Sequence, residues 1–343
     1  MKVWFTSTAK GQHSHAHQAK KLISLGKNSL HSDFNTRYSL AKSPEDADLI
    51  VYVEPGYIKL RPYIYTLLSE ELIVTHPNKC FVIDCADTSW ELMPGVYTGL
   101  RSSQFNRQRY RSGGYLTEYN PVCQQVYAQK KNIEPQLLFS FRGAASSAVR
   151  QNIFAANFTG NDISIQQTYA WCNHSSEEQL LYAEELINSK FILCPGGNCP
   201  ASIRLFETMK MGRVPVILSD DWVAPEGPAW QEFSIRVSES RVNELPEIIR
   251  RYEPDALVMG KLARQAWEDW FSPDVIYIRM LNYIESIYLE RDSNHNEQKY
   301  QQEWLSWQFQ WQRNWTPVQR FIDAVNRGTL IEQVQSKLSL NLF

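Results

Sequence analysis

The chain has 343 residues, 43% of them hydrophobic and 21% charged, with a formal net charge of −2. That length accommodates two domains with full cores, and the absence of a basic excess argues against a nucleic-acid partner. No run approaches the ~20 apolar residues of a membrane helix, and the first residues do not resemble a signal peptide. Six cysteines, none in C-x-x-C spacing, predict reduced thiols and a cytoplasmic protein.

The first half of the chain alternates strand-like and helix-like segments. Apolar, β-branched runs predict strands at Val3–Thr6, Asp48–Val53 and Cys80–Cys85. Helical patterns at Gln18–Leu25 and Pro62–Ile73 lie between them. Strands that alternate with helices in this way predict a parallel sheet, and therefore an α/β domain.

A second α/β segment begins near Pro135 with a predicted strand at Leu137–Phe141. Its most informative part is FILCPGGNCPASIRLFETMKMGRVPVIL, residues 191–218, which predicts a strand, a glycine loop, a helix and a second strand. Asn198 suits the N-cap of that helix and Gly212 suits its end. A glycine loop before a helix is typical of an anion site, although many α/β proteins have one.

Several ordered motifs in this region resemble the exostosin family of glycosyltransferases. They are LLFSFRGAASSAVR, the 191–218 segment followed by SDDW, and WQEFSI, and the matches span residues 137–271. Two positions depart from the family pattern: Gly196 stands where Arg is frequent, and Thr208 follows Glu207 in place of Ala.

The resemblance implies an α/β fold with two Rossmann-like domains facing a cleft, the GT-B architecture. It places an acceptor domain at residues 1–134 and a nucleotide-sugar-binding domain at 135–271. Residues 272–343 would hold a closing helix that returns to the first domain, at Asp274–Glu290, followed by a tryptophan-rich helical tail.

Arg204 and Glu207 lie three residues apart and so share a helix face. Spacing alone leaves two interpretations, a surface ion pair or a site where Arg204 meets phosphate and Glu207 accepts ribose hydroxyls. The resemblance favours the second. The donor-binding residues it implies are Arg142, Gly143, Arg150, Gly196, Gly197, Ser202, Arg204 and Glu207.

The catalytic base is less determined by the sequence. Asp84 and Asp87 follow a predicted strand at its carboxyl end, where ligands bind in α/β proteins, but aspartates also cap turns there. His13, in a loop with two further histidines, is a third candidate because imidazole titrates near neutral pH. The long segment 87–120 is either an acceptor-binding surface or an elaborated surface loop.

No metal or other cofactor is expected. Asp46 and Asp48 form a D-x-D string, which binds a metal–nucleotide in other glycosyltransferases, but they precede a buried strand and indicate a structural role. The resemblance implies metal-independent, inverting transfer from a nucleotide-sugar, UDP-linked, to a hydroxyl of a glycan or glycolipid acceptor. The alternatives are a non-catalytic glycan- or nucleotide-binding protein and another nucleotide-dependent enzyme, although the first strand lacks a G-x-G-x-x-G.

The tail contains tryptophans at three- and four-residue spacing: Trp304, Trp307, Trp311 and Trp315. This spacing predicts one helix face. Such a face would dock on the protein body or contact a membrane interface, which allows peripheral contact at the inner membrane surface. The sequence does not predict an oligomeric state.

Overall fold

The computed structural model describes residues 1–11, 14–56, 62–87, 90–117, 120–168, 174–292 and 294–312. The chain forms two compact units. The larger unit, Met1–Lys59 with Lys79–Asp292, contains both β-sheets, and the smaller comprises Leu60–Asn78 and Ser293–Phe343. None of the described helices is long and apolar enough to cross a membrane.

The first sheet has six parallel strands in the order β2-β1-β3-β4-β5-β6. The strands are β1 (Lys2–Thr6), β2 (Ser39–Leu40), β3 (Leu49–Glu54), β4 (Cys80–Asp84), β5 (Gly95–Tyr97) and β6 (Tyr110–Ser112). The central strands β3 and β4 are buried along their whole length, because helices or chain segments cover both faces of a parallel sheet.

The second sheet has five parallel strands in the order β11-β10-β9-β7-β8. The strands are β7 (Leu137–Gly143), β8 (Ile163–Gln167), β9 (Ser189–Pro195), β10 (Val214–Leu218) and β11 (Ile235–Arg236). Strand order reverses between β7 and β9, as it does between β1 and β3 in the first sheet. A crevice forms at such a switch point, beyond the carboxyl ends of the strands.

The described helices are α1 (Ser14–Ser29), α2 (Pro62–Ser69), α3 (Glu71–Thr75), α4 (Val122–Lys130), α5 (Ala148–Ala155), α6 (Ser176–Ile187), α7 (Ile203–Lys210), α8 (Trp230–Phe233), α9 (Leu245–Arg250), α10 (Ala256–Trp270), α11 (Ile276–Leu289), α12 (Glu297–Glu303) and α13 (Trp307–Gln312). Helix α11 follows the second sheet in sequence but packs in the core of the first, where Tyr277, Leu281 and Ile284 join one cluster with Val3 and Phe5.

The predicted fold class, two Rossmann-like α/β domains, is confirmed by these two sheets. Every strand predicted from an apolar run is present within two residues of its expected bounds. Segment 87–120, which the sequence indicates to be a long loop, contains the short strands β5 and β6. Strands of three residues are too short to show a periodicity in the sequence.

The three described tryptophans of the tail do not share one continuous helix face. Helix α12 ends at Glu303, and Trp304 after it is buried, whereas Trp307 and Trp311 on α13 are 63% and 45% exposed. The prediction of one face failed because the chain turns between the two helices. Trp315 lies outside the described residues.

Candidate functional site

A cavity of about 270 Å³ lies between the two sheet domains of the larger unit. The second domain forms most of its wall, from the carboxyl ends of β7, β8 and β9 and from helices α5, α6 and α7. The first domain contributes Asp87, Tyr115 and Asn120. The cavity therefore occupies the crevice expected at the switch point of the second sheet.

Most of the residues singled out in the sequence line this cavity. They are Asp87, Arg142, Gly143, Arg150, Gly197, Ser202, Arg204 and Glu207. Gly196 does not line the cavity. Its carbonyl accepts a hydrogen bond from the Ser147 hydroxyl at 2.7 Å. His13 lies outside the described residues, and the histidine that does line the cavity is His174.

Arg204 is buried against aromatic rings. Its guanidinium carbon lies 4.6 Å from the Phe141 ring centroid and 5.8 Å from that of Tyr182, and one nitrogen, Nη2, donates to the Arg142 carbonyl. In the described part of the chain, its Nε and Nη1 atoms have no hydrogen-bond partner. A buried cation with unused donors is suited to an anionic ligand.

Arg150 shares this environment. Its Nη2 donates to the Pro195 carbonyl at 3.3 Å, and its Nε is buried without a partner among the described residues. Burial, together with the neighbouring charge of Arg204, lowers the pKa of Arg150 to about 10. The side chain is still a cation at neutral pH, and an anion placed between the two arginines would relieve their repulsion.

Arg142, by contrast, is already paired. Its guanidinium forms an ion pair with Glu185 of α6 at 2.6 Å, and its backbone carbonyl accepts from Arg204. Arg142 thus orients Arg204, while Glu185 largely neutralises the charge of the Arg142 guanidinium.

Glu207 is a buried carboxylate inside the cavity. Its Oε2 accepts a 2.7 Å hydrogen bond from the Tyr182 hydroxyl, while Oε1 has no hydrogen-bond partner among the described side chains. Burial raises the pKa of Glu207, against the opposing effects of the Tyr182 hydrogen bond, the Arg204 charge and a hydrogen bond from the Asn120 backbone. An open acceptor oxygen beside two cations suits a ligand that brings hydroxyl groups and phosphates together.

The loop that precedes α7 differs from the expectation. The helix begins at Ile203, not near Asn198, and Ser202 at its N-cap makes no side-chain hydrogen bond. Neither Gly196 nor Gly197 has a positive φ. Gly197 instead leaves room for Arg150, because a Cβ there would lie in tight contact, 3.0 Å from Nη2 of that side chain.

Asp87 and Tyr115 bring the first domain to the cavity. The Tyr115 hydroxyl lies 3.3 Å from Oδ1 of Asp87 and 3.4 Å from the Ala201 carbonyl of the loop before α7. Burial raises the pKa of Asp87, although the Tyr115 hydrogen bond and the Arg150 charge oppose this. A partly buried carboxylate of raised pKa has the properties of a general base.

Asp84 lies at the end of β4 but does not line the cavity. It is buried, and its Oδ1 accepts from the Ala86 backbone at 2.8 Å, as in an Asx turn. The D-x-D pair is likewise engaged elsewhere: Asp46 accepts from the Lys2 ammonium at 2.5 Å, and Asp48 accepts from the Lys2 backbone at 2.8 Å. Neither of these two aspartates lines the cavity.

Sequence reasoning did not identify Tyr115, Asn120 or Tyr182 as cavity residues. Tyr182 lies on a helix that the sequence does predict, but its direction towards Glu207 depends on how α6 packs on the sheet.

Curated relatives match short stretches of the chain. A probable glucuronosyltransferase of Oryza sativa subsp. japonica is 35% identical over 94 residues, 27% of this chain and 22% of that protein. An exostosin-1 homolog of Caenorhabditis elegans is 40% identical over 70 residues, 20% of this chain and 18% of the other. A probable beta-1,4-xylosyltransferase of Arabidopsis thaliana is 39% identical over 77 residues, 22% and 19% respectively. The matches thus span about a fifth of these relatives.

Solved structures resemble the chain over most of its length. An alpha1,3-fucosyltransferase has a TM-score of 0.41 at 11% identity, covering 86% of this chain and 92% of that one. The Anabaena protein HepE, in complex with UDP-glucose, has a TM-score of 0.41 at 9% identity, with 83% and 99% covered. Scores this low indicate weak similarity, so the fold assignment rests on the two sheets themselves.

The model of one protein family matches residues 73–252, slightly more than half of the chain. The matched region includes β4, segment 87–120 and nearly all of the second sheet's domain, and thus every cavity residue described above. This chain belongs to the exostosin GT47 domain family.

Proposed function

We propose that the protein is a glycosyltransferase that moves a sugar from a nucleoside-diphosphate sugar, UDP-linked, to a hydroxyl of a glycan or glycolipid acceptor. The observation that carries the proposal is the pair of buried arginines, Arg150 and Arg204, which face one cavity with unused donors. Relatives named as glucuronosyl- and xylosyltransferases support a hexosyl or pentosyl donor.

In this proposal the diphosphate of the donor binds between Arg150 and Arg204. Arg142 and Glu185 hold Arg204 in place through the Arg142 carbonyl. Glu207 Oε1 accepts a ribose hydroxyl, since its other oxygen is held by Tyr182. The two cations stabilise the charge that grows on the leaving diphosphate, a role that charged donors serve in many transferases.

Asp87 is the proposed base. It takes the proton of the acceptor hydroxyl as the acceptor oxygen bonds to the anomeric carbon. The bond from that carbon to the diphosphate oxygen breaks with its electron pair, and the nucleoside diphosphate leaves. Attack comes from the face opposite the leaving group, so the anomeric configuration is inverted.

The proposal includes metal independence. Two fixed cations supply positive charge at the diphosphate, and the carboxylates of Asp46 and Asp48 are bonded to Lys2 outside the cavity. The proposed reaction therefore assigns the leaving-group charge to arginine donors.

Binding of UDP, measured by isothermal titration calorimetry, tests the donor site. We expect each of the variants Arg150→Gln and Arg204→Gln to weaken UDP binding by about tenfold or more, because each removes a charge-assisted hydrogen bond. Uridine, which lacks phosphate, should bind equally weakly to wild type and both variants. The matched control is Arg241→Gln, since Arg241 pairs with Glu244 on the exposed surface.

Equal UDP affinity in wild type and both cavity variants would overturn the donor site. The same titrations in EDTA, and turnover with a panel of nucleotide-sugars, check the rest of the proposal. Loss of turnover in EDTA with recovery in manganese would contradict metal independence. UDP binding without turnover of any donor would favour the second candidate, a non-catalytic nucleotide-binding protein, which Gly196 in place of the family's frequent Arg supports.

A further inference from the structure

We propose that Tyr115 is the positioning residue for Asp87: its hydroxyl hydrogen holds the ionised carboxylate in the cavity and turns to the Ala201 carbonyl when the carboxyl takes a proton. The proposal rests on the assignment of Asp87 as base in the proposed function. It adds a link between the base of the first domain and the donor loop of the second.

The Tyr115 hydroxyl faces two oxygen acceptors, and the Cys199 thiol is a further hydrogen-bond partner of it. The Tyr115 hydroxyl oxygen lies 3.3 Å from Asp87 Oδ1 and 3.4 Å from the Ala201 carbonyl oxygen. A phenol carries one hydrogen, so it donates to one of these acceptors at a time. The two distances are nearly equal, and rotation of the hydroxyl about its C–O bond changes the partner.

The Tyr115 ring is fixed, so that only the hydroxyl is free to rotate. The ring packs edge-on against Phe206 of α7, with centroids 5.9 Å apart. Phe206 in turn packs against Phe271 at 4.9 Å. The hydroxyl is thus anchored between the domains by aromatic contacts that do not depend on the state of Asp87.

The ionisation of Asp87 decides which acceptor is better. An ionised carboxylate is a stronger acceptor than a backbone carbonyl, and a protonated carboxyl is a weaker one. Proton transfer from the acceptor sugar to Asp87 would therefore release the Tyr115 hydrogen to Ala201. Ala201 lies directly before Ser202 and the start of α7, where Arg204 resides.

The other titratable groups that face Asp87 are Arg150 and Cys199. Arg150 of α5 lowers the pKa of Asp87 through its charge, against the larger effect of burial. Burial raises the pKa of the Cys199 thiol to about 12, so this group stays neutral across the working range. Tyr115 and Arg150 are therefore the two groups that keep Asp87 ionised.

The test measures the pKa of Asp87 by NMR, with ¹³C at the aspartate Cγ and the signal assigned by its loss in Asp87→Asn. In Tyr115→Phe the ring contact with Phe206 is retained and the hydroxyl is lost. The pKa of Asp87 should rise by about one, a tenfold change in proton affinity, because a hydrogen bond to a charged acceptor is removed. Tyr277→Phe is the matched control, since it removes a buried hydroxyl that donates to Leu22 far from the cavity.

A second measurement needs no variant. In wild-type protein labelled at the tyrosine Cζ, the Tyr115 signal should shift with the same midpoint as the Asp87 signal. The proposal would be overturned if the pKa of Asp87 were unchanged in Tyr115→Phe, or if it changed equally in Tyr277→Phe. It would also be overturned if the Tyr115 signal did not show that midpoint. These NMR measurements contain no nucleotide. If UDP failed to bind, the proposed function would be wrong, but the effect of Tyr115 on the pKa of Asp87 would still be measured.

Discussion

At the scale of single residues, the partner of a side chain decides its role in the cavity. Arg142 and Arg150 are the same residue type, and both line the cavity. Arg142 is paired with Glu185, whereas Arg150 contacts a backbone carbonyl. We therefore assign the diphosphate to Arg150 and Arg204 and give Arg142 a supporting role.

Glu207 gives a prediction in which affinity and stability move in opposite directions. Glu207→Gln should lower the affinity for UDP by about tenfold, because the ribose loses a charged hydrogen-bond acceptor. The same variant should melt at a higher temperature than wild type at pH 7 without ligand, because the desolvation of the buried carboxylate outweighs its favourable contacts with Tyr182 and Arg204. Calorimetric titration and thermal unfolding measure the two effects.

The difference in stability between Glu207→Gln and wild type should depend on pH. Burial raises the pKa of Glu207 in the folded protein, so the folded state loses stability as pH rises from the unfolded pKa through the folded one. The advantage of Glu207→Gln should therefore be present at pH 7 and shrink towards pH 4. A variant that is less stable than wild type at pH 7 would show that the carboxylate is compensated in the free protein.

At the scale of elements, the loop between β9 and α7 determines how closely the arginines approach. The two glycines in it do not serve a left-handed turn, since neither has a positive φ. Gly197 faces Arg150, and Gly196 faces the side chain of Ser219. The loop is thus shaped by what lies against it.

Gly197→Ala should weaken UDP several-fold. The new Cβ would lie 3.0 Å from Nη2 and 3.3 Å from Cζ of Arg150, so the guanidinium must move from its place in the cavity. Gly196→Ala is the control, because its Cβ would meet the Ser219 hydroxyl at 3.0 Å and no arginine. Calorimetry that finds the larger loss of affinity in Gly196→Ala would contradict this account of the loop.

At the scale of the larger unit, the two sheet domains are joined by the chain, by α11 and by polar contacts. Asp221, after β10, accepts from the Ser102 hydroxyl at 2.6 Å, from Arg101 at 3.0 Å and from the Ser103 backbone at 3.3 Å. Arg107 forms a second pair with Glu226 at 3.0 Å. These contacts hold the first domain's 101–107 segment on the second domain beside the cavity.

Asp221→Ala should lower the free energy of unfolding by about 1 kcal/mol. Three hydrogen bonds to a carboxylate are lost, but the pair with Arg101 is about a third exposed and solvent screens it. Glu244→Ala is the control, because its pair with Arg241 joins neighbouring residues on the surface. That variant should change the free energy of unfolding much less than Asp221→Ala does, because solvent screens an exposed pair.

The contribution of Asp221 to the free energy of unfolding should depend on pH, and its hydrogen-bond partners determine the direction. Burial raises the pKa of Asp221, but the hydrogen bonds from Ser102, Arg101 and Ser103 outweigh it and lower the pKa overall. Its stabilisation is present above the unfolded pKa and disappears as pH falls through the folded one. Urea unfolding at pH 7 and in acid, with equal losses at both, would contradict this assignment.

The sequence by itself determined the strands and the family motifs. Consecutive apolar residues predict a buried strand such as Val214–Leu218. The residue pattern of segment 191–218 predicts its strand, loop, helix and second strand in that order. Parallel strands also bring their carboxyl ends to one edge, which is why Arg142 and Gly197 are found at one cavity. These features depend on local pattern and on the geometry of a parallel sheet.

The tertiary structure alone decided the partners. Asp84 and Asp87 are equivalent in the sequence, yet one caps a turn and the other enters the cavity. Glu207 meets Tyr182 across 25 positions, and Asp87 meets Tyr115 across 28. The physical reason is that side-chain contacts depend on the direction in which each helix and loop packs, and no periodicity in the chain encodes that direction.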